Sequence, residues 1–535
     1  MGLILKSLAP YTGPYPVSTH DVELAPSPSR SRHEFSRARL VSTGQRALSL
    51  DSVLFTVFYP AREDSDNRSK PMPWLERPLS VTARGYAKFL AKPKVVVQAL
   101  VYAFGAGLHL ATRGTDLPVV RLDKPAPVVV FSHGLSGNRT NYSQYCGELA
   151  SRGYVVVAIE HRDGSGPVSI VKPDVEDPQS TERIVDYIKE GDICYEDEQD
   201  RQPFIKFRGD QLEMRQAEIA QVLEILERVN RGETDDLERS NRRRRAVGDE
   251  ATPSFRWKDL HGKLDLESNL TMAGHSFGGA TTIQILRSNS KFRFHRGIAL
   301  DPWADPIPPA KVELELDLSD DRDARKSSTS STEDDRTTLV STTTSDAKNK
   351  KDHEESLSDK GRGGNEQEAS PSPAQPPSTQ EREEEANEHG EREGISIPFL
   401  VINSEAFTLW KPHFYLVRDI VTSVRDRAAS TWFFTILGSI HLSFSDLPLF
   451  LPSYLSPKAA TTPASTSHTT IVDISVEFLD GAQQRRDGRL ARNVAREGDE
   501  EYVNPNRGEG DKGPLVKGDG EDYARLHVKR NVSTQ

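Results

Sequence analysis

Cysteine is scarce in this chain of 535 residues, which carries Cys146 and Cys194 alone. Two cysteines cannot form the disulfide framework of a small secreted domain, so nothing in the sequence requires an oxidising compartment. Long apolar runs are also missing. The longest, residues 95–111, is interrupted by Gln98 and His109 and falls short of the roughly 20 residues that span a bilayer. Two interpretations of this run stay open, a buried core helix and a helix with a membrane-contacting face.

An excess of positive charge is absent as well, because 80 acidic residues outnumber 69 lysines and arginines and give a net charge of −11. This balance argues against general nucleic-acid binding. Arg242 to Arg245 form a local basic run, for which a solvated loop is favoured over a binding patch. Residues 1–7 lack the apolar core of a secretory signal, and Lys6 stands where a myristoylation pattern needs Ser or Thr. We therefore expect an intracellular, cytoplasmic protein.

The polar residues are concentrated in long stretches. Residues 312–394 are rich in Asp, Glu, Ser and Thr and contain no Phe, Trp or Tyr. Such a segment cannot bury enough apolar surface to offset its ordering entropy, so we predict a disordered insertion. Composition likewise predicts a disordered tail at 483–535 and a poorly ordered N-terminal segment at 1–47. The folded domain is then expected in two parts, 48–311 and 395–482.

Apolar, β-branched segments alternate with helical ones in the remaining chain. A strand at 128–132, a helix at 141–152 and a strand at 154–159 form a βαβ unit, which is typical of a parallel sheet. Residues 209–229 have the periodicity of an amphipathic helix. Further strands are predicted within 48–59, 296–301, 397–403 and 431–437. The pattern predicts an α/β protein with a mostly parallel central sheet.

The most informative segment is Gly-His-Ser-Phe-Gly-Gly at residues 274–279, which fits the nucleophile-elbow pattern G-x-S-x-G around Ser276. A strand ends just before it at 270–273, and a helix can begin just after it at 280–286. A serine on a sharp strand-to-helix turn exposes its hydroxyl and tolerates only small neighbours. The N-terminus of the following helix faces any anion that forms there. This context predicts an α/β-hydrolase fold with Ser276 as nucleophile.

A serine hydroxyl needs a base within hydrogen-bond reach, usually a histidine oriented by an acid. In α/β hydrolases the chain order is Ser, acid, His. Asp301 follows an apolar strand and His441 follows another, so both are expected at the strand ends where such sheets place their sites. Asp305, in a Pro-rich loop, is the alternative acid, and an ordinary loop or core histidine is the alternative interpretation of His441. We predict Asp301 as the acid and His441 as the base.

Two backbone N–H groups are expected to stabilise the oxyanion of the tetrahedral intermediate. One belongs to Phe277, the residue after the nucleophile. The other belongs to Leu135, in the loop of residues 132–137 that follows an early strand. A tight glycine-containing turn would also explain this loop, and the two explanations are compatible.

Eight motifs occur in a fixed order along the chain: Phe-Ser-His-Gly-Leu at 131–135, Arg-Thr-Asn-Tyr-Ser at 139–143, Leu-Ala-Ser-Arg-Gly-Tyr at 149–154, Glu-His-Arg-Asp at 160–163, Gly-His-Ser-Phe-Gly-Gly-Ala at 274–280, Leu-Asp-Pro-Trp at 300–303, Ile-Asn-Ser-Glu at 402–405 and Ser-Ile-His at 439–441. In combination they resemble the platelet-activating factor acetylhydrolases, which are calcium-independent phospholipases A2. The resemblance covers about residues 50–165, 205–305 and 395–480. Pro302 departs from it, because the family usually has a small residue between the acid and the tryptophan.

The resemblance implies the same five site residues, Ser276, Asp301, His441, Leu135 and Phe277. It also implies hydrolysis of the short or oxidised sn-2 acyl ester of phospholipids, as in a 1-alkyl-2-acetylglycerophosphocholine esterase, without a metal or another cofactor. The implied partners are a phospholipid substrate and, through peripheral contact, a membrane surface; no oligomeric state is indicated. Two alternatives stay open: a general short-chain carboxylesterase, and an interaction protein on a hydrolase scaffold.

Overall fold

The computed structural model describes residues 7–27, 34–62, 72–174, 177, 179–195, 203–243, 255–307, 394–424, 430–451 and 459–481, together with the strands 501–503, 515–517 and 522–530. All but the last residue of the predicted insertion, 312–394, therefore lies outside the described residues. The same holds for the predicted tail, 483–535, apart from its three strands.

Sixteen strands are present in the described part of the chain. They are β1 (Val17–Leu24), β2 (Arg39–Leu40), β3 (Val53–Pro60), β4 (Gly114–Thr115), β5 (Ala126–Ser132), β6 (Val155–Glu160), β7 (Val168–Val171), β8 (Arg183–Asp186), β9 (Ile193–Cys194), β10 (Leu264–His275), β11 (Arg296–Leu300), β12 (Phe399–Ser404), β13 (Thr431–Ile436), β14 (Glu501–Val503), β15 (Leu515–Lys517) and β16 (Asp522–Arg530).

The central sheet has the strand order β13-β12-β11-β10-β5-β6-β3-β1-β4, and β16 extends it beyond β13 with β14 and β15 beside it. The six strands from β13 to β6 are mutually parallel, whereas β3 is antiparallel to both β6 and β1. β2 pairs with β9, and β7 with β8, outside this sheet. The prediction of an α/β fold with a mostly parallel central sheet is confirmed.

Helices pack on both faces of the sheet. They are α1 (Leu79–Leu90), α2 (Lys94–Leu100), α3 (Ser143–Ala150), α4 (Pro203–Arg231), α5 (Asp235–Ser240), α6 (Phe277–Arg287), α7 (Glu405–Leu409), α8 (Lys411–Thr422), α9 (Leu447–Phe450) and α10 (Ala464–Leu479). Successive strand residues point to opposite faces. Val128 and Val130 of β5 therefore join a core with α4, α6 and α8, while Val129 and Phe131 join a second core with α3 and α10.

The N-terminal segment differs from the prediction. Residues 17–24, expected within a poorly ordered stretch, form β1 between β3 and β4. The sequence did not indicate this strand because a charged residue occupies one of its buried positions. Glu23 is fully buried, and its carboxylate pairs with Arg162 at 3.0 Å and with Arg243 at 2.7 Å. A paired charge can occupy an interior position that composition alone would assign to solvent.

The basic run also differs from the prediction for its two described members. Arg242 and Arg243 have side chains only 8% and 9% exposed, so they do not belong to a solvated loop. Arg242 pairs with Asp174, and Arg243 pairs with Glu23 and with Glu76 at 2.7 Å. Arg244 and Arg245 lie outside the described residues.

The apolar run 95–111 has one buried part and one exposed part. Its C-terminal part, with Leu108 and Leu110, is buried. In α2, however, Val97 is the buried residue, while Val95 is 78% exposed and neighbouring apolar side chains are also exposed. The buried-core interpretation is therefore wrong for α2. Among the described residues, no helix combines the length and the apolar character needed to cross a bilayer.

Candidate active site

Ser276 occupies the sharp turn between β10 and α6, with φ 59° and ψ −117°. A non-glycine residue in this region of backbone space is strained, and such strain persists only where the surrounding structure imposes it. The glycines of the motif make the turn possible. A Cβ on Gly274 would collide with the carbonyl oxygen of Gly278, and one on Gly278 would collide with the carbonyl oxygen of Ser132. Larger residues at either position would force the turn apart.

The structure brings together the three side chains that chain order predicted. Ser276 Oγ lies 2.8 Å from His441 Nε2, and His441 Nδ1 lies 2.7 Å from Asp301 Oδ2. Asp301 is fully buried, whereas the His441 side chain is 32% exposed. Asp305, the alternative acid, accepts a hydrogen bond from the Trp303 indole at 2.8 Å instead. The arrangement is a continuous hydrogen-bond chain from a buried carboxylate to a serine hydroxyl.

Ser404 at the end of β12 fixes the Asp301 carboxylate. Its backbone N–H donates to Oδ1 and its hydroxyl donates to Oδ2, each at 2.7 Å. Asp301 directly follows β11, the neighbour of β12 in the sheet, so pairing of the two strands brings the residues together. Sequence reasoning assigned no role to Ser404, although its motif at 402–405 belongs to the resemblance. The contacts leave the carboxylate one orientation, toward His441.

Two rings contact the His441 imidazole. Phe407 of α7 stacks on it at a centroid distance of 4.3 Å and an interplanar angle of 4°, and His275 lies at 4.5 Å with a tilt of 36°. Burial, together with the charge of His441, holds the pKa of His275 well below its usual range. The Tyr142 hydroxyl lies 2.9 Å from His275 Nδ1. A neutral ring and an aromatic ring therefore hold His441 in place; sequence analysis missed Phe407.

The loop of residues 132–137 meets the nucleophile directly. A Cβ on Gly134 would lie 2.8 Å from Ser276 Cβ, so this position requires glycine. The N–H of Gly134 donates to the Tyr142 hydroxyl at 3.2 Å. In the described part of the chain, the N–H groups of Leu135 and Phe277 donate to no protein acceptor. Both predicted oxyanion donors thus belong to segments around Ser276.

A buried polar network underlies this loop. Arg215 of α4 donates to the carbonyl oxygen of His133 at 2.9 Å and pairs with Asp163 at 2.8 Å, and its guanidinium lies 4.3 Å from the Phe277 ring centroid. One arginine therefore contacts both segments that carry a candidate oxyanion donor. Burial raises the pKa of Asp163, but the charge of Arg215 and the hydrogen bonds from Ser165 and Arg215 together more than offset that effect, so the pKa lies below its usual value.

His161 connects two further members of this network. Its Nε2 lies 2.7 Å from Ser132 Oγ, and its Nδ1 lies 2.5 Å from Glu218 Oε2. Burial, followed by the charge of Asp163, raises the pKa of Glu218 to about 8. Sequence reasoning missed these roles; the available signals were the motif at 160–163 and the amphipathic helix at 209–229.

Among the described residues, the one group of three potential metal ligands is His275, Asp301 and His441, whose ligand atoms lie within 4.8 Å of one another. Asp301 and His441 already bond each other, and His441 also contacts Ser276. An ion bound here would therefore compete with the hydrogen-bond chain.

Known proteins share sequence with this chain. A family model described as "Platelet-activating factor acetylhydrolase, isoform II" matches residues 6–313. A platelet-activating factor acetylhydrolase of Canis lupus familiaris is 30% identical over 254 residues, which cover 48% of this chain and 50% of the relative. One of Cavia porcellus is 36% identical over 181 residues, covering 34% and 36% of the two chains. The chain thus spans about half or less of the length of these curated relatives.

One solved structure, a ferulic acid esterase from Streptomyces cinnamoneus, matches with a TM-score of 0.45 at 16% identity. The match covers 89% of this chain and 92% of that one.

Proposed function

Because the chain belongs to the platelet-activating factor acetylhydrolase, isoform II, family, we propose that it is a serine esterase that removes the short or oxidised sn-2 acyl group of phospholipids. Membership of the family supports the broader class, a carboxylic ester hydrolase. The observation that carries the proposal is the hydrogen-bonded chain of Ser276, His441 and Asp301. The expected activity is that of a 1-alkyl-2-acetylglycerophosphocholine esterase.

Acylation begins with the hydroxyl of Ser276. His441 Nε2, 2.8 Å away, accepts its proton while Oγ attacks the ester carbonyl carbon. Asp301 stays ionised, holds Nδ1–H and stabilises the imidazolium that forms. The stacked ring of Phe407 keeps the imidazole at this angle during both proton transfers.

The attack converts the carbonyl oxygen into an oxyanion. The N–H groups of Leu135 and Phe277 are the proposed donors to it, because each belongs to a segment around the nucleophile. Phe277 is also the first residue of α6, so its N–H lies at the positive end of the helix dipole.

Collapse of the intermediate expels the lyso-phospholipid alkoxide, which takes the proton from His441 Nε2. Water then enters, His441 accepts one of its protons, and the resulting hydroxide attacks the acyl-Ser276 carbonyl. Release of the carboxylic acid returns the proton to Ser276 Oγ. One turnover consumes one water molecule and returns Ser276 and His441 to their starting protonation states.

Exposed apolar side chains support a lipid substrate rather than a soluble ester. We call them the apolar rim: Val95, Val96, Leu100, Tyr102 and Phe104 on α2 and the turn after it, and Leu409, Trp410, Leu442 and Leu447 near His441, all between 40% and 78% exposed. Contiguous exposed apolar side chains are unfavourable in water and favourable at a membrane interface.

One buried cluster, which includes Trp74, Leu75 and Phe450, packs against the turn that follows α2 and against the segment that follows His441. Leu75 lies beside Gly105, at the end of the turn that follows α2, where an added Cβ would lie 2.4 Å from Leu75 Cδ1. Trp74 packs against Phe450 of α9 at a centroid distance of 5.1 Å, in the segment that follows His441. We propose that the rim places the active site against the surface of a phospholipid aggregate.

The test compares wild type with Ser276→Ala and with Ser288→Ala, a serine at the end of α6 that serves as the control. Substrates are phospholipids of increasing sn-2 chain length in vesicles and a water-soluble short-chain ester, each with and without chelator. We expect hydrolysis of short sn-2 chains by wild type and Ser288→Ala, unaffected by chelator, and a loss of at least about a thousandfold in Ser276→Ala. Full activity in Ser276→Ala would refute the assignment.

The same panel separates the two alternatives. Turnover of the soluble ester that equals or exceeds turnover of vesicle lipid favours a general carboxylesterase. Failure of an active-site-directed phosphonate to label Ser276, together with absence of hydrolysis, favours an interaction protein on a hydrolase scaffold. Mass spectrometry of the labelled peptide identifies the serine.

A further inference from the structure

His133 has a defined tautomer because of its two partners. The ring is buried, with 1% of the residue exposed. Its Nε2 lies 3.0 Å from the backbone N–H of His161, so Nε2 accepts and carries no proton. Its Nδ1 lies 2.8 Å from the carbonyl oxygen of Gly134, an atom that can only accept. The neutral ring therefore carries its proton on Nδ1 and donates it to Gly134.

The hydrogen bond acts on the peptide group that carries the Leu135 N–H. The Gly134 carbonyl and the Leu135 N–H belong to one planar trans peptide, in which they point in opposite directions. Fixing the carbonyl therefore fixes the direction of the N–H. Gly137 N–H donates to the same carbonyl at 3.0 Å, so two donors hold it. Hydrogen bonds to the oxygen also polarise the N–H at the other end of the peptide.

The surroundings of His133 keep the ring neutral. Burial, followed by the nearby Arg215 guanidinium, lowers the pKa of His133 to about 3. Arg215 also donates to the backbone carbonyl of His133 at 2.9 Å, which holds the start of the loop. The His133 ring therefore stays neutral near neutral pH and keeps the same hydrogen-bond pattern.

We propose that His133 is a positioning residue that directs the Leu135 N–H toward the oxyanion. The inference rests on the proposed esterase function, and it concerns a residue that does not touch the substrate. His133 belongs to the motif at 131–135 and has no other role in the proposed mechanism.

Two substitutions separate the two hydrogen bonds of the ring. In H133N the amide nitrogen of the new side chain lies near the position of Nδ1, so this variant keeps a donor for Gly134. In H133Q the amide oxygen lies near the position of Nε2, so this variant keeps the acceptor for His161 and loses the donor. We expect kcat of H133Q on a soluble short-chain ester to fall roughly tenfold to a hundredfold, with KM within about twofold of wild type.

H133N should keep kcat within about threefold of wild type, and the affinity of H133Q for a trifluoromethyl ketone should fall by the same factor as its kcat. Equal kcat values for wild type and H133Q, or equal damage in both variants, would overturn the proposal. A wild-type protein that neither hydrolyses the ester nor reacts with a phosphonate would instead refute the esterase function itself.

Melting curves establish whether both variants fold. If H133Q does not fold, the tautomer is measured directly on wild type by nitrogen-15 NMR of labelled histidines, with H133N used to assign the signal. A proton on Nδ1 supports the proposal, and a proton on Nε2 overturns it.

Discussion

Substitution of Glu218 tests the buried polar network beneath the loop of residues 132–137, which we call the oxyanion loop. The side chain is fully buried on α4, where Oε2 lies 2.5 Å from His161 Nδ1 and Oε1 accepts the Arg162 N–H at 2.9 Å. Burial and the charge of Asp163 raise its pKa to about 8 from a reference of 4.5. The substitution Glu218→Gln keeps an acceptor for Arg162 and a donor for His161, and it removes the titration.

The sign of the effect follows from proton binding. Between pH 4.5 and 8 the folded protein holds a proton that the unfolded chain has released, so the free energy of unfolding falls as pH rises. One unit of pKa difference corresponds to about 1.4 kcal/mol, so wild type loses up to roughly 3 kcal/mol between about pH 5 and 7.5. Glu218→Gln lacks this titrating carboxyl group, so its free energy of unfolding does not show this loss. The variant should therefore gain stability relative to wild type as the pH rises, and the gain should level off above about pH 8.

Thermal unfolding is measured by calorimetry from about pH 5 to 8.5 for wild type, Glu218→Gln and Glu227→Gln. Glu227 lies on the same helix with a side chain 58% exposed, so its substitution controls for the loss of a negative charge. The melting temperature of Glu218→Gln minus that of wild type should rise with pH, and a value of this difference that stays constant or falls would refute the reasoning. Esterase rates recorded alongside show whether the same proton affects the oxyanion loop.

Three further predictions concern the site and its rim. Phe407→Ala should lower kcat about tenfold and Phe407→Leu less, because the ring stacks on His441, and pH–rate profiles and melting curves check this. Gly134→Ala places a methyl group against Ser276 Cβ, so ester hydrolysis should fall about a hundredfold, and the melting temperature should also fall because the buried clash displaces neighbouring atoms. Val95→Glu combined with Trp410→Glu should weaken turnover of vesicle lipid and spare the soluble ester; an equal loss on both substrates would contradict a lipid-contacting rim.

Local sequence patterns predicted the parallel sheet and indicated the residues of the candidate site. The β-branched runs at 128–132 and 154–159 are the neighbouring strands β5 and β6, and the long amphipathic helix is α4. The elbow motif, the ends of predicted strands and the chain order together led to the hypothesis of Ser276, Asp301 and His441, and their side chains lie in hydrogen-bond contact. These signals were readable because each depends on a few consecutive residues.

Other features depend on partners far apart in sequence. β1 contains Asp21 and Glu23, which hide its strand character, and their partners Arg139 and Arg243 come more than a hundred residues later. Arg243, in turn, belongs to a run that composition assigns to solvent. No periodicity signals a charge whose burial is compensated by a distant opposite charge. The stacking of Phe407 on His441 could not be predicted either, because the two residues are far apart in sequence.

The pairing of β11 with β12 has a consequence for how the site could be divided. Gly297 to Leu300 align with Phe399 to Ile402, so the strands on either side of residues 308–393 are adjacent in the sheet. Ser276 and Asp301 precede that interval, and His441 follows it. If the backbone were cut within that interval, the three proposed catalytic groups would therefore lie on two different polypeptides. Under the proposed function neither fragment alone would hold the complete site, so ester hydrolysis by two co-expressed fragments would report their association.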